Sequence, residues 1–268
     1  MSAIREAIVA GQFYPGLKSE LIKEIASFSD PKATKSDVIA CMLPHAGYVY
    51  SGRVAVEAVS RINIKDKIIL LGPNHTGLGQ EFSLMSDGAW QTPLGSIKID
   101  SVLAKEILSQ SKYLKEDALA HLNEHSLEVE LPILQYFRND FQIVPIALMS
   151  SDIKALKAVG QEIAAAVKGL KSVMLIASSD MTHYESQEIA IKKDNAAIKA
   201  ILDLDEDALA DRIRALNISM CGYAPVIVMI SAAKALGAKK TELIKYQTSG
   251  DVTGDKTSVV GYASIVIR

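Results

Sequence analysis

Only two cysteines, Cys41 and Cys221, occur in this chain of 268 residues. So few thiols exclude a disulfide scaffold and point to reduced cysteines in a cytoplasmic setting. An excess of one charge is also missing: 29 Lys and Arg face 31 Asp and Glu, for a formal net charge of -2. No basic stripe runs through the sequence, so nucleic acid, whose phosphates demand clustered cations, is not an expected partner. Long apolar runs are absent as well. The longest, Ala224 to Ala233, falls far short of the ~20 residues that span a bilayer. Met1-Ser2-Ala3-Ile4-Arg5-Glu6 has no apolar signal-peptide core. No membrane association is expected.

What is present is a chain with 49% hydrophobic residues and no linker or low-complexity tract, which reads as one domain over residues 1–268. Apolar periodicity predicts helices near 17–28, 53–62, 101–110, 125–138, 152–168, 186–202, 205–215 and 223–236. Strands are predicted near 38–43, 67–72, 82–86, 95–99, 142–149, 172–178, 240–248 and 258–267. Continuous apolar strands that alternate with amphipathic helices specify an α/β fold, a central sheet covered by helices on both faces. Phe82 to Met85 and Ile97 to Ile99, joined through Thr92-Pro93-Leu94-Gly95, read as an antiparallel hairpin. The last two strands lie too close together for a helical crossover and are also expected to be antiparallel, giving a mixed sheet.

Histidine is scarce too, with five in all, and three of them follow predicted strands. Val38-Ile39-Ala40-Cys41-Met42-Leu43 precedes His45, Ile68-Ile69-Leu70-Leu71 precedes His75, and Val173-Met174-Leu175-Ile176-Ala177 precedes His183. Imidazoles at strand ends converge above a sheet, where α/β folds bind metals and substrates. Pro44 takes no ladder donor and Gly47 lets the backbone turn sharply, which places His45 on a stiff corner and suits a metal ligand.

Other motifs narrow the chemistry. Gly72-Pro73-Asn74-His75-Thr76-Gly77-Leu78-Gly79 is rich in glycine but lacks the Gly-Lys-Ser/Thr ending of a phosphate loop. The serine, aspartate and histidine of Ser178-Ser179-Asp180-Met181-Thr182-His183 crowd one loop, and no Gly-x-Ser-x-Gly elbow occurs, so a serine-hydrolase triad is not expected. His183 reads instead as a general acid or base, with Asp180 setting its tautomer or raising its pKa. Asn123-Glu124-His125 reads as a capped helix start whose Glu124 and His125 orient ligands from elsewhere. Asp251, in the Gly-Asp turn between the last two strands, is a candidate carboxylate ligand. His45, His75 and Asp251 form the two-imidazole, one-carboxylate set that leaves positions open on Fe(II).

The segments Ala10-Gly11-Gln12-Phe13-Tyr14-Pro15, Pro44-His45-Ala46-Gly47-Tyr48-Val49-Tyr50-Ser51-Gly52, Gly72-Pro73-Asn74-His75, Glu124-His125-Ser126, Ser178-Ser179-Asp180-Met181-Thr182-His183 and Cys221-Gly222 together resemble the Memo family. The closing Val259-Val260-Gly261-Tyr262-Ala263 extends the likeness almost to the C-terminus. The resemblance implies a fold similar to the class III extradiol ring-cleaving dioxygenases, whose iron is held by two histidines and a glutamate. It implies that His45 and His75 are metal ligands and that His183 is the acid or base. Animal Memo proteins carry a cysteine in the segment before the final strand, where this chain has Gly250-Asp251-Val252. Asp251 is therefore placed as third ligand, with Asp255 the next candidate.

The resulting expectation is a cytoplasmic, dioxygenase-like oxidoreductase with Fe(II), zinc or copper being the alternatives, acting on a phenol or diol. Tyr14, Tyr50, Trp90, Glu124, His125 and Cys221 are expected around the substrate. Two other readings stand beside it. One is a scaffold that binds a peptide or small ligand without chemistry, as animal Memo proteins are described; the other is a zinc-dependent hydrolase.

Overall fold

The apolar runs form the middle of a nine-stranded mixed sheet in the computed structural model, which describes residues 4–268. Of the N-terminal stretch expected to lack a signal peptide, Met1 to Ala3 lie outside the described residues. In chain order come β1 (Ile4–Arg5), α1 (Lys18–Phe28), β2 (Ala40–Leu43), a π-helical turn (Tyr48–Gly52) leading into α2 (Arg53–Val59), and β3 (Lys67–Pro73). Next are β4 (Phe82–Leu84), β5 (Ala89–Thr92), β6 (Gly95–Lys98), α3 (Ser101–Gln110), β7 (Lys115–Glu116), α4 (Leu119–Leu122), α5 (Glu130–Phe137) and β8 (Gln142–Leu148). The remainder holds α6 (Ile153–Ala166), β9 (Val173–Ser178), β10 (His183–Glu185), α7 (Gln187–Leu202), α8 (Glu206–Ala215), α9 (Tyr223–Ala235), β11 (Thr241–Thr248), α10 (Ser249–Thr253) and β12 (Val259–Ile267).

Strand order is β10-β12-β2-β9-β3-β8-β4-β7, with β11 also paired to β12. Neighbours β2, β9, β3 and β8 run parallel, whereas β12 is antiparallel to β2 and β4 is antiparallel to β8. Every residue of β3 from Ile68 to Pro73 is buried, and a strand with no wet face must be covered on both sides. α9 packs against β3 and β9, while α2 packs against β2, β11 and β12. The longest apolar run of the sequence is α9 itself, buried without interruption from Ala224 to Ala233. It is a core helix. No helix among the described residues is long and apolar enough to cross a membrane.

The expected α/β class, mixed sheet and antiparallel final pair are all present. Two local expectations are corrected. Phe82–Leu84 does not form a hairpin with the strand near Ile97. It adds antiparallel to β8, and the Thr92-Pro93-Leu94-Gly95 turn instead closes β5 onto β6 in a separate three-stranded sheet. Along Ala89–Thr92 half-buried and buried residues alternate, as in a strand with one face on the core. The helix expected over 125–138 starts only at Glu130, and Asn123 ends α4 instead of capping a helix start. Glu124 explains the delay: its carboxylate accepts from the backbone N–H of Ser126 and of His75, which ties the segment to the neighbouring strand end.

Candidate metal centre

Register places the site. Leu43 of β2 lies opposite Ser178 of β9, and Leu71 of β3 lies opposite Ala177, so three parallel strands end nearly level. Two residues beyond β2 and β3 stand His45 and His75. Above them opens a cleft of about 540 Å³, lined also by Phe13, Tyr50, His125, Asp180, His183 and Cys221. Such a cleft at the carboxyl ends of parallel strands is where α/β sheets bind ligands.

His45 is buried and tightly held. Its backbone N–H donates to Asp180 Oδ1 at 2.9 Å, and its ring Nδ1 lies 2.8 Å from Ser178 Oγ. Nε2 is therefore the atom left to face the cleft, where it meets Cys221 Sγ at 3.3 Å. Burial, and after it the nearby His75 and His125 rings, hold the His45 pKa well below the usual histidine range, so the ring is neutral and free to ligate.

His75 is oriented by a carboxylate. Its Nδ1 lies 2.9 Å from Glu124 Oε1, and its backbone N–H donates to Glu124 Oε2 at 2.5 Å. Burial alone would raise the Glu124 pKa, but the hydrogen bonds from His75 and Ser126 outweigh it and bring the carboxyl down to about 2. An ionised carboxylate on Nδ1 fixes the tautomer and turns Nε2 outward, the usual arrangement behind a ligating histidine. His125 stacks on His75 with ring centroids 4.8 Å apart.

Cys221 completes the group. It precedes α9, and the close packing of its loop depends on the next residue: a Cβ at Gly222 would come 2.3 Å from the Ser178 carbonyl and 2.4 Å from Ser179 Cβ. Only glycine lets the loop sit directly on the end of β9. Donor atoms of His45, His75 and Cys221 all lie within 4.8 Å of one another, as do those of His75, Glu124 and His125. The first set fits a metal because both Nδ1 atoms are already engaged, so two Nε2 atoms and Sγ remain for it. Since Glu124 is committed to His75 and Ser126, the second set supports the first.

His183 opens β10 instead of lying on a loop as expected, and its Nδ1 lies 3.0 Å from the Ser219 carbonyl. A carbonyl only accepts, so Nδ1 carries the hydrogen and Nε2 the free lone pair. Asp180 does not partner His183, contrary to the sequence reading. It accepts from the His45 backbone, and burial raises its carboxyl to about 7.

Several expected site residues lie elsewhere. Asp251 closes the N-terminus of α10, accepting from Thr248 N at 2.7 Å and from Gln187 Nε2 at 3.0 Å, and it is outside both donor groups. Asp255 accepts from Thr257 N–H and Oγ1 and belongs to neither donor group. The donor expected from that turn comes from Cys221. Tyr14 is buried and donates to Glu128 Oε1, while Arg5 pairs with Oε2 of the same carboxylate. Trp90 is fully buried with the Arg5 guanidinium 4.1 Å above its ring. Both hold the N-terminal segment down and neither lines the cleft. Tyr50 and His125 do line it, and Glu124 lies behind it.

A mixed sheet with imidazole and thiol donors gathered at its parallel strand ends defines an α/β protein with a candidate metal-binding centre. The profile described as Memo-like protein matches residues 5–266, and the chain belongs to that family. Among its relatives, the MEMO1 family protein MJ0403 of Methanocaldococcus jannaschii is 45% identical over all of both chains. A MEMO1 family protein of Methanococcoides burtonii is 46% identical over 99% of this chain and 100% of the relative. A solved structure, uncharacterized protein JW3007 from Escherichia coli K12, shares the fold with a TM-score of 0.58 at 15% identity, covering 85% of this chain and 99% of the other.

Proposed function

We propose that this chain is a metal-dependent, dioxygenase-like oxidoreductase acting on a phenol or diol, with His45, His75 and Cys221 as the metal ligands. The convergence of those three donors in an open cleft carries the reading. Two imidazoles and a thiolate suit iron, copper or zinc, and a bound redox metal supplies open coordination positions and one-electron chemistry. Dioxygenase-like chemistry calls for iron, while the thiolate in place of a carboxylate also suits copper and zinc.

The chain's own residues do the rest. Glu124 and Ser178 hold the two imidazoles in the ligating tautomer. Burial lowers the His183 pKa, which keeps the ring neutral near pH 7 with Nε2 free to take a phenolic proton. Asp180, near its midpoint at neutral pH, holds the His45 corner through the backbone. Phe13 and Tyr50 give the cleft apolar walls for a flat ring. Two free cysteines support a reducing, cytoplasmic location.

Anaerobic titration of metal-stripped protein with Fe(II), followed by oxygen-uptake assays on a catechol panel, tests the proposal. Stoichiometric binding and catechol-dependent uptake are expected, with uptake lost and binding retained in His183→Ala. Tight iron binding without uptake on any catechol would mean a ligand-binding protein instead.

A further inference from the structure

Beneath the metal centre lies a second acid that no part of the proposed chemistry uses. Glu130, first residue of α5, is fully buried. Its Oε1 lies 2.8 Å from Ser178 Oγ, and its Oε2 has no hydrogen-bond partner. The same Ser178 Oγ lies 2.8 Å from the Ser126 carbonyl and 2.8 Å from His45 Nδ1.

One hydroxyl thus has three close polar neighbours and a single hydrogen to give. The Ser126 carbonyl can only accept. If Glu130 were ionised it could only accept too, and one of the two contacts would set lone pair against lone pair at 2.8 Å. The three contacts all hold a hydrogen in one arrangement: Ser178 donates to Ser126, while Glu130 O–H and His45 Nδ1–H each donate to Ser178. The orphaned Oε2 agrees with this count, because a sealed neutral carbonyl oxygen is far less costly than a sealed anionic one. So does the setting: burial pushes the Glu130 carboxyl well above its ordinary range against the opposing Ser178 contact, and Asp180, another acid, adds to the rise. The N-terminus of a short helix is too weak a counterweight to a fully desolvated charge.

We infer that Glu130 is a positioning residue for the metal centre: a neutral carboxylic acid whose O–H anchors Ser178, which gives its one hydrogen to the Ser126 carbonyl and turns a lone pair to His45 Nδ1–H, leaving Nε2 bare. The inference rests on the metal-centre reading for its purpose, though not for its hydrogen positions. Removing the donor leaves Ser178 held by two contacts in place of three, which loosens the acceptor behind His45 Nδ1, while the Ser126 carbonyl still takes the Ser178 hydrogen.

Two substitutions separate this from a merely structural role. Glu130→Gln keeps an N–H donor toward Ser178, whereas Glu130→Leu keeps the volume without it. In metal-free protein, nitrogen-15 chemical shifts of His45 are expected to report the Nδ1–H form in wild type, Glu130→Gln and Glu130→Leu, because the Ser126 carbonyl takes the Ser178 hydrogen in all three, and an Nε2–H population only in Ser178→Ala. A protonated-carboxyl infrared band is expected in wild type at neutral pH and lost in Glu130→Gln, a readout that holds even if Glu130→Leu does not fold. Zn(II) affinity is expected within about threefold of wild type for Glu130→Gln and at least tenfold weaker for Glu130→Leu. The inference is overturned if Glu130→Gln weakens zinc binding as far as Glu130→Leu, if neither weakens it, if wild-type His45 is not in the Nδ1–H form, or if the infrared band is absent. Failure of wild type to bind zinc or iron would sink the metal reading and leave the tautomer result standing.

Discussion

Cys221 Sγ sits 3.3 Å from His45 Nε2 across 176 residues of sequence. That pairing joins the end of a parallel strand to the start of the buried helix α9, and a thiol in the place expected for a carboxylate changes which metals the site favours. Replacing Cys221 with serine should weaken Zn(II) and Cu(II) binding by at least tenfold while leaving the melting temperature of the metal-free chain within a few degrees. Competition against a chelator of known affinity, followed by thermal melting, measures both.

Asp251 separates the site the sequence suggested from the one the fold builds. Its carboxylate accepts from Thr248 N–H and Oγ1 at the start of α10, so Asp251→Ala should cost about 1 kcal/mol of stability through the lost cap. Metal affinity should be unchanged. A tenfold loss of affinity in that variant would restore the aspartate as a ligand.

Much of the fold was legible because its central strands are continuous apolar runs with turn residues at their ends. Those runs also exposed His45 and His75, since each follows its strand by two residues. Cys221 was legible as part of the pocket but not as a ligand: no local spacing links it to either histidine, and only three-dimensional packing of the α8–α9 loop onto β9 brings it there. The Cys221-Gly222 pair was the one available sign, a reactive atom beside a residue that permits close backbone approach. Tyr14 and Trp90 misled because aromatic residues near a motif look alike whether they wall a cleft or fill a core. Their role is set by Arg5 and Glu128, which lie 123 residues apart.

Gly222 gives a steric prediction. A methyl group there would overlap the Ser178 carbonyl and Ser179, so Gly222→Ala should destabilise the chain by roughly 1 to 3 kcal/mol. Because the shift falls on Cys221, metal affinity should drop as well. Urea unfolding and a metal titration on the same variant check the two effects together.

Glu124→Gln keeps the shape behind His75 but replaces an ionised acceptor with an amide. Metal affinity should fall by about 10- to 100-fold, with the His75 ring losing its fixed tautomer. Unchanged affinity would show that His75 is oriented by its stacking on His125 instead.

His121, which does not line the cleft, predicts a pH effect. It is fully buried, and its pKa is lowered from 6.5 to about 4 by burial and then by the Arg5 charge. The unfolded chain takes up the proton first as pH falls, so stability from this group is complete above pH 6.5 and drains away down to about pH 4. The loss should total roughly 3 kcal/mol. Denaturant midpoints for wild type and His121→Gln between those pH values should converge as pH falls; parallel curves would contradict it.

X-ray absorption on the zinc-loaded chain tests the centre most directly, because it counts the atoms bound. The account predicts one sulfur at ~2.3 Å and two imidazole nitrogens at ~2.0 to 2.1 Å, with the sulfur contribution gone in Cys221→Ser and one imidazole gone in His45→Ala. A shell of oxygen and nitrogen alone, unaltered by either substitution, would contradict it.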